Sequence, residues 1–482
     1  MVDNLIRKKA AMNEFMDVVS SFILPLVDIR GNAKLVEKES LNSELVVFEG
    51  PTNGQNIIRI YPCISTKNSP SPFYCEVGTY STPAMKTRLE AILREILKVT
   101  EYNCFNNRIK KQRNYGTKKS KHEAYKERTL ALAFELGMCS WLATDYNKAI
   151  ILYSILCRMM DWAGRTYEGK NVPFGIIVDF DSQAPLDAVS YLHFLENDSS
   201  AVFTDGIFSG ILLDKEGKLL SFLTRNSMPT TIIKEQDIFV PYQFADMAQH
   251  CTKNAVGIIV LTNGEILIIK NLAVCFAKRG SKWVSFDWER VYKNLRPYFL
   301  LGKDKNEDNI RDRIKTIYTT LLDVSFSHTG GCLAVVIPNI GTEEISKIIK
   351  DRFDLSVTGN LPEGISMESK EKIEVLKYLL ADTSNSIRSF FEIEKPLRKE
   401  ILSLDGATVV SLDGSFYCAG SIVAVPGGSS GGGRTAAAKR LAQIGVGIKI
   451  SEDGYIEAYG TPINGTYGKK QAPRTIPLFK IK

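Results

Sequence analysis

Residues 402–460 contain the pattern that decides the fold, and they read LSLDGATVVSLDGSFYCAGSIVAVPGGSSGGGRTAAAKRLAQIGVGIKISEDGYIEAYG. Short apolar segments follow Asp405-Gly406-Ala407, and a Ser/Gly loop covers 427–433. The Ala-rich segment 434–444 predicts a helix, and a further apolar run ends at Ser451-Glu452-Asp453-Gly454. Because apolar runs of strand length alternate with helical patterns, we expect a mixed sheet flanked by helices.

The loop and the predicted helix together have the chemistry of a phosphate-binding site. Glycines ahead of a helix let backbone N–H groups approach a ligand without interference from a Cβ atom. The amino terminus of a helix adds partial positive charge, and Arg434 and Thr435 lie where the loop meets the helix. The alternative is a flexible linker, because the loop matches neither a Walker sequence nor a dinucleotide-binding glycine motif.

Two acidic residues, Asp405 and Glu452, lie at or beside the ends of predicted strands. Carboxylates are ligands that Mg²⁺ and Mn²⁺ prefer, and phosphoryl transfer usually needs such an ion. The same stretch therefore offers two candidate metal ligands beside a phosphate site. We interpret His328, next to Gly330-Gly331 at a predicted turn, as a loop histidine rather than a catalytic residue.

Three motifs of this stretch resemble those of the diadenylate cyclase domain, which the DNA-integrity-scanning protein shares with membrane-bound bacterial diadenylate cyclases. That family has a DGA motif, a Gly-Thr-Arg-His-Arg-Ala-Ala loop and a Ser-Glu pair that ends a strand. Asp405-Gly406-Ala407 matches the first motif and Ser451-Glu452 the third, while Gly433-Arg434-Thr435 occupies the place of Arg-His-Arg. The resemblance covers about 310–460. It looks like the divergent branch that carries an N-terminal sensor-type domain.

The resemblance implies a nucleotidyltransferase that condenses two nucleoside triphosphates, ATP in the known members, into a cyclic dinucleotide second messenger such as cyclic di-AMP. Two domains of a homodimer or larger homo-oligomer would face each other, and each 3′-hydroxyl would attack the α-phosphate of the other nucleotide. Asp405 and Glu452 would be catalytic and would hold Mg²⁺ or Mn²⁺. The implied nucleotide-binding residues are Gly406, Ala407, Ile422, Gly432, Gly433, Arg434, Thr435 and Ser451.

A second class of function stays open at this point. A non-catalytic sensor that descends from the cyclase fold would bind a nucleotide or an oligonucleotide without turning it over. The two carboxylates Asp405 and Glu452 favour the enzyme, because a pure binding protein has less need of two metal ligands.

Composition places the chain among globular proteins and excludes several classes. Its 482 residues predict two to four domains, and the net charge of +7 permits anionic ligands without demanding nucleic acid. Nine cysteines without a CxxC pattern indicate a reducing cytoplasm rather than disulfides or a zinc site. The amino terminus lacks the features of a signal peptide, and the apolar segment 149–160 is too short to span a bilayer. We therefore expect a cytoplasmic protein with no membrane partner, in which 149–160 is a buried core helix.

Shifts in composition predict four regions. Residues 1–145 form a mixed α/β region with an amphipathic helix at 85–99, and 146–302 form a sensor-type or degenerate cyclase-like domain. Residues 303–465 form the diadenylate-cyclase-like catalytic domain, and 466–482 form a basic tail. The charged stretch 303–311 is the predicted linker, because it is polar and lacks an apolar pattern.

The stretch 108–128 carries nine Lys or Arg residues against two Glu, with two tyrosines interleaved. Clustered cations bind phosphates, so this stretch is the candidate contact for a nucleic acid or another trigger. The alternative is a solvated segment that leads into a helix at 123–138.

Three pairs of segments recur in the same order along the chain. The pairs are 151–180 with 314–339, 203–222 with 404–420, and 254–270 with 444–460. In this comparison Asp205-Gly206 takes the place of Asp405-Gly406. The pattern predicts an internal duplication whose first copy is degenerate, and chance similarity of common Asp-Gly turns is the alternative.

Overall fold

The computed structural model divides the chain into two compact units, Met1–Ile238 with Phe244–Asp287, and Phe239–Gln243 with Trp288–Lys482. The residues that it describes are 19, 34–36, 44–52, 55–61, 74–79, 85–106, 118–167, 170–191, 204–224, 238–252, 254–338, 340–349, 367–381, 386–425, 432–463 and 475–482. Both units combine helices with sheets, and the two largest sheets are mixed, so the predicted α/β (α+β) fold class is confirmed.

The first unit begins with a small antiparallel sheet and two long helices. The strands are β1 (Lys34–Val36), β2 (Val46–Thr52), β3 (Gln55–Ile60) and β4 (Tyr74–Thr79), and they lie in the order β1-β4-β3-β2. Helix α1 (Lys86–Asn106) agrees with the helix expected at 85–99, and it packs against α2 (Lys118–Ala143). A Cβ atom at Gly137 of α2 would lie 2.6 Å from Cα of Ile92, so glycine permits this close packing.

A seven-stranded mixed sheet follows in the same unit. Its strands are β7 (Phe174–Asp179), β8 (Ser209–Leu213), β9 (Leu219–Thr224), β10 (Ala255–Val260), β11 (Ile266–Lys270), β12 (Ala273–Arg279) and β13 (Lys282–Ser285). The order across the sheet is β13-β12-β11-β10-β7-β8-β9. Helix α3 (Tyr146–Ala163) buries the apolar segment 149–160 against β10 and β11, as predicted. Smaller elements are the hairpin of β5 (Thr166–Tyr167) with β6 (Lys170–Asn171) and the short helix α4 (Ala245–Ala248).

The second unit is built on a six-stranded mixed sheet. Its strands are β14 (Gly331–Val336), β15 (Ala407–Ser411), β16 (Phe416–Ser421), β17 (Gly445–Ile450), β18 (Ile456–Gly460) and β19 (Ile476–Ile481). Its helices are α5 (Trp288–Phe299), α6 (Glu307–Ser327), α7 (Thr342–Ile348), α8 (Met367–Leu380), α9 (Lys395–Leu402) and α10 (Gly433–Leu441). The strand order is β16-β15-β14-β17-β18-β19. β14 runs parallel to β15, and the other neighbours pair antiparallel.

The stretch expected to be a linker, 303–311, is helical from Glu307 onward. The side chain of Asn306 accepts hydrogen bonds from the backbone N–H groups of Asp308 at 2.9 Å and Asn309 at 3.1 Å, so it caps α6. Acidic residues in the first turn favour this helix start, and they also explain why the stretch looks like a polar linker in the sequence. The second unit already includes α5, so it begins before the boundary expected at 303.

The basic tail expected at 466–482 ends in a strand. Leu478, Phe479 and Ile481 of β19 are buried, and β19 pairs with β18 at the edge of the sheet. This strand is difficult to recognise in the sequence because it is short, basic and contains Pro477, a residue that sheets tolerate at an edge. Residues 464–474 lie outside the described part of the chain.

The two large sheets share one topology. β9-β8-β7-β10-β11-β12 in the first unit corresponds strand for strand to β16-β15-β14-β17-β18-β19 in the second. The parallel pair lies at the same place in both, as β7 with β8 and as β14 with β15. In chain order, a long helix precedes β7 in the first unit and β14 in the second, and these helices are α3 and α6. This is the arrangement that an internal duplication predicts.

The strand register identifies the corresponding residues in the two sheets. One row across the sheet consists of Ile258, Ile176 and Ile211 in the first unit, and of Ile448, Leu333 and Thr408 in the second. Ile258 and Ile448 are equivalent in the repeated segments 254–270 and 444–460, so Ile211 corresponds to Thr408.

This register corrects the expected match of Asp205 with Asp405. Three positions before the paired residues of β8 and β15 lie Phe208 and Asp405, so Phe208 is the counterpart of Asp405. Asp205 instead accepts hydrogen bonds from the backbone N–H groups of Ile207, Phe208 and Ser209. Burial raises the pKa of this carboxyl, but the three N–H donors outweigh burial and lower it. Asp205 therefore holds a turn together in the first unit.

Gly447 of β17 provides a test of how closely α10 packs on the sheet. A Cβ atom at Gly447 would overlap the carbonyl oxygen of Ala438, whereas a Cβ at Gly433 would meet nothing within 4 Å. We expect Gly447→Ala to lower the free energy of unfolding by about 2 kcal/mol, because a helix or a strand must move. Gly433→Ala should change it by less than about 1 kcal/mol. Urea unfolding measures both, and equal losses would contradict the packing.

Asp323 of α6 is a buried carboxyl whose ionisation opposes folding. Its Oδ1 accepts a hydrogen bond from the backbone N–H of Tyr242 at 2.7 Å. Burial raises its pKa from 3.8 to about 7, although Lys395 and Arg398 lower it. Between these two values the unfolded chain releases the proton and the folded protein keeps it, so this group makes the folded state less stable as the pH rises.

We expect Asp323→Asn to remove this contribution. The free energy of unfolding of the variant, relative to that of the wild type, should increase from pH 4 to pH 7 and stay constant above, because the folded pKa is about 7. Asp312→Asn, on an exposed side chain of the same helix, is the control. Urea unfolding at several pH values tests this, and a difference that does not change with pH would contradict it.

Candidate functional site

The predicted site residues meet at one edge of the six-stranded sheet. Because β14 and β15 are parallel, both strands begin at this edge, and β17, which is antiparallel to β14, ends there. Gly331 pairs with Ile450, so the chain that follows β17 lies beside the chain that precedes β14. Asp405, which precedes β15, therefore lies at the same edge as Glu452, which follows β17.

Asp405 has an exposed carboxylate at the start of β15. The next residue, Gly406, has a φ of +109°, and a Cβ atom there would lie 2.5 Å from the carbonyl carbon of Gly420. Ala407 is buried and pairs with Ser421, which brings the end of β16 to the same edge. Within the described part of the chain, the Asp405 carboxylate makes no hydrogen bond or ion pair. It is therefore open to a cation.

Arg434 and Glu452, predicted as a phosphate ligand and a metal ligand, form an ion pair with each other. Nη1 of Arg434 donates to Oε1 of Glu452 at 2.8 Å, and the side chains are 39% and 69% exposed. The guanidinium also lies over Gly330, where a Cβ atom would be 2.6 Å from Nη1. An exposed pair of this kind contributes at most about 1 kcal/mol, so a phosphate or a metal ion can displace it.

The amino terminus of α10 faces this edge without a side-chain cap. Gly432 precedes the helix with a φ of +81°, a conformation that glycine adopts without strain. The first turn contains no acidic residue, and the N–H groups of Gly433, Arg434 and Thr435 have no acceptor within the helix. The helix expected at 434–444 is present as α10 followed by a 3₁₀ turn. The rest of the Ser/Gly loop, 427–431, lies outside the described residues.

Lys449 is a member of this site that sequence reasoning missed. It lies in β17, and its Nζ donates to Oγ1 of Thr435 at 2.9 Å. The side chain is half-buried, while the other residues of the strand are buried. A lysine within a buried apolar strand was the signal that could have identified it, because buried strands normally exclude an unpaired charge.

His328 connects α6 to the same site. It ends the helix in the left-handed conformation, with a φ of 55°, and Nδ1 lies 2.7 Å from the backbone oxygen of Glu452. A carbonyl oxygen only accepts hydrogen bonds, so Nδ1 carries the proton in this contact. His328 is therefore a loop histidine that holds the turn carrying Glu452. Next to it, the hydroxyls of Thr329 and Ser403 are 2.7 Å apart.

Ser451 and Ile422 lie at the edge in different roles. The Oγ of Ser451 accepts a hydrogen bond from the backbone N–H of Tyr455 at 3.1 Å, so this hydroxyl shapes the hairpin after β17. Ile422 directly follows β16 and is 60% exposed. It is thus an apolar surface beside Asp405 rather than part of the core.

The donor set at this edge fits a hard divalent cation only with help from a ligand. Among the described residues, no group of three or more His, Cys, Asp or Glu side chains could hold a metal ion. Mg²⁺ is often bound by one or two carboxylates, with substrate phosphates and water completing its shell. Asp405 meets that requirement as it stands, and Glu452 does so once Arg434 releases it.

The remaining predictions concern a nucleic-acid contact, a membrane and the cysteines. In the basic stretch 108–128, residues 108–117 lie outside the described part of the chain, and the backbone of 118–128 is part of helix α2. In that same described part, no helix is long and apolar enough to cross a bilayer. The cysteines whose side chains are described are free thiols.

Substitution of Glu452 tests how weak the Arg434 ion pair is. We expect Glu452→Gln to change the free energy of unfolding by less than about 1 kcal/mol, because both side chains are exposed. Glu457→Gln is the matched comparison: this carboxylate is 7% exposed and pairs with Lys482 and Tyr459. Burial raises the pKa of Glu457, but these partners bring it down to about 2. Its loss should cost about 3 kcal/mol in urea unfolding, and equal effects would contradict the assignment.

Comparisons of the chain with family models, with curated proteins and with solved structures found no match. The resemblance to diadenylate cyclases therefore stays a prediction from three motifs. The structural observations that bear on function are those of the sheet edge with Asp405, Arg434, Lys449 and Glu452.

Proposed function

We propose that this protein is a nucleotidyltransferase that condenses nucleoside triphosphates, with ATP as the first candidate, into a cyclic dinucleotide and releases pyrophosphate. The observation that carries the proposal is the open carboxylate of Asp405 at the same sheet edge as the uncapped amino terminus of α10. Such a helix terminus binds anions, and a carboxylate beside it can hold the cation that accompanies phosphates. The three motifs shared with diadenylate cyclases support the same chemistry.

Each residue of the edge has a role in this reaction. The N–H groups of Gly433, Arg434 and Thr435 bind phosphate oxygens. Gly406 lets the chain pack closely against the backbone of Gly420, which holds Asp405 at the edge. A bound Mg²⁺ or Mn²⁺ supplies charge neutralisation on the phosphates and favours ionisation of the attacking hydroxyl. Asp405 would hold that ion, and Glu452 would be a second ligand once Arg434 releases it.

The reaction balances without a redox partner. The 3′-oxygen of one nucleotide forms a bond to the α-phosphorus of the other, and the bond from that phosphorus to the bridging oxygen of the β-phosphate breaks. The hydroxyl proton passes to solvent, and pyrophosphate leaves. Two such steps close the ring.

The arrangement also implies a second copy of the chain. One edge provides one helix terminus and one open carboxylate, which is enough for a single triphosphate. Ring closure requires two triphosphates with each 3′-hydroxyl facing the other α-phosphate. We therefore propose a homo-oligomer in which the exposed edges of two protomers face each other, at least while product is formed.

A nucleotide-binding sensor is the second candidate, and the ion pair between Arg434 and Glu452 favours it. In that pair the charged groups satisfy each other, so Glu452 is not poised as a metal ligand. A protein that only binds a nucleotide needs the helix terminus and a base contact such as Ile422, and not two open carboxylates. Only the nucleotidyltransferase converts the bound nucleotide into product, so an assay for product separates the two candidates.

The experiment is an incubation of the purified protein with each nucleoside triphosphate and Mg²⁺ or Mn²⁺, with products identified by mass spectrometry. We expect a cyclic dinucleotide, and we expect Asp405→Asn to reduce its formation by about a hundredfold or more, as loss of a metal-binding carboxylate does. Asp312→Asn is the control, because Asp312 lies roughly 24 Å from His328 along α6 at about 1.5 Å per residue.

Undiminished product from Asp405→Asn would show that this carboxylate has no catalytic role. Absence of product with every nucleotide, when a nucleotide still binds, would favour the sensor.

A further inference from the structure

Lys449 places a positive charge beside the amino terminus of α10, which already carries partial positive charge. Its Nζ contacts the hydroxyl of Thr435 in the first turn of α10, at the end where the helix dipole is positive. Arg434 in the same turn has Glu452 as its counter-ion, whereas Glu457, the carboxylate opposite Lys449 on β18, pairs with Lys482 and Tyr459. A cation beside an uncapped helix amino terminus is electrostatically unfavourable unless an anion binds between them.

We infer that Lys449 is a phosphate-binding residue, whose ammonium group contacts the polyphosphate chain of the substrate beside the N–H groups of α10. This inference rests on the proposed function, since it assigns a substrate contact to the same site. It names the part of the substrate involved, which is the polyphosphate and not the base. A lysine suits this role, because its compact charge pairs with a single phosphate oxygen and does not require the planar geometry of arginine.

The packing of α10 on β17 directs Lys449 toward this place. Gly447, two residues earlier on the strand and on the same face, lies directly under Ala438. Ala438 is three residues after Thr435, so the helix runs antiparallel to the strand and its amino terminus overlies Lys449. Both the backbone path and the observed hydrogen bond therefore bring the ammonium group to the phosphate end of the site.

The first unit has a different kind of residue at the position of Lys449. The residue equivalent to Lys449 in the repeated segments is Ile259 of β10. Its side chain is buried beneath Gly206, at the turn that Asp205 holds closed. The same place in the shared topology is thus apolar and covered in one unit, and cationic beside a helix terminus in the other. The shared topology therefore does not require a lysine at the position of Lys449.

The experiment is calorimetric titration of the full chain with inorganic tripolyphosphate and with ATP, both with Mg²⁺. We expect Lys449→Gln to weaken the binding of both by about tenfold or more, and Lys449→Arg to retain the affinity within about threefold. Lys439→Gln is the matched control: this exposed lysine of α10 lies with Nζ 5.4 Å from the ring centre of Tyr459. If Lys449→Gln fails to fold, Lys449→Ile, which copies the first unit, replaces it.

The outcomes separate this inference from the proposed function. Unchanged tripolyphosphate affinity in Lys449→Gln would overturn the inference, and a cyclic product lost in Asp405→Asn would still establish the enzyme. Weakened affinity in Lys449→Gln without any cyclic product would support the inference and overturn the enzyme. If the wild type bound neither tripolyphosphate nor ATP, the inference would be wrong whatever the product assay showed.

Discussion

The parallel pairing of β14 with β15 is the constraint on which the candidate site depends. Parallel neighbours cannot be joined by a tight turn, so the chain between them makes a long crossover that includes α7, α8 and α9. The crossover returns the chain to the edge where β14 began, and Asp405 arrives there just before β15. The antiparallel pairing of β17 with β14 then brings Glu452 to the same edge. Two carboxylates far apart in sequence share one surface because one pair is parallel and the other antiparallel.

Charge balance explains why this edge is suited to an anionic ligand that carries its own cation. Arg434 and Glu452 neutralise each other, Asp405 makes no described ion pair, and Glu457 opposite Lys449 pairs with Lys482 instead. The amino terminus of α10 adds partial positive charge beside Lys449. In the proposed function, the phosphates of a nucleoside triphosphate would face Lys449 and the helix, and its divalent ion would face Asp405.

The first unit shows that this topology does not by itself create the site. Its strands follow the same order and directions, yet Phe208 stands at the position of Asp405 and Ile259 at that of Lys449. Asp205 is occupied by three backbone N–H groups. Sites are specified by side chains placed on a fold, and here two related sheets in one chain illustrate that difference.

Local chemistry in the sequence by itself determined the α/β class, the helices at 85–99 and 149–160, and the start of α10. These depend on periodicity and on glycine within a few residues, which any local reading can detect. The contacts of Lys449 with Thr435, Arg434 with Glu452 and His328 with Glu452 join residues 14, 18 and 124 positions apart. Only the tertiary structure decided them, together with the register that separates Asp205 from Asp405, because strand pairing and helix packing act between distant segments that local patterns do not link.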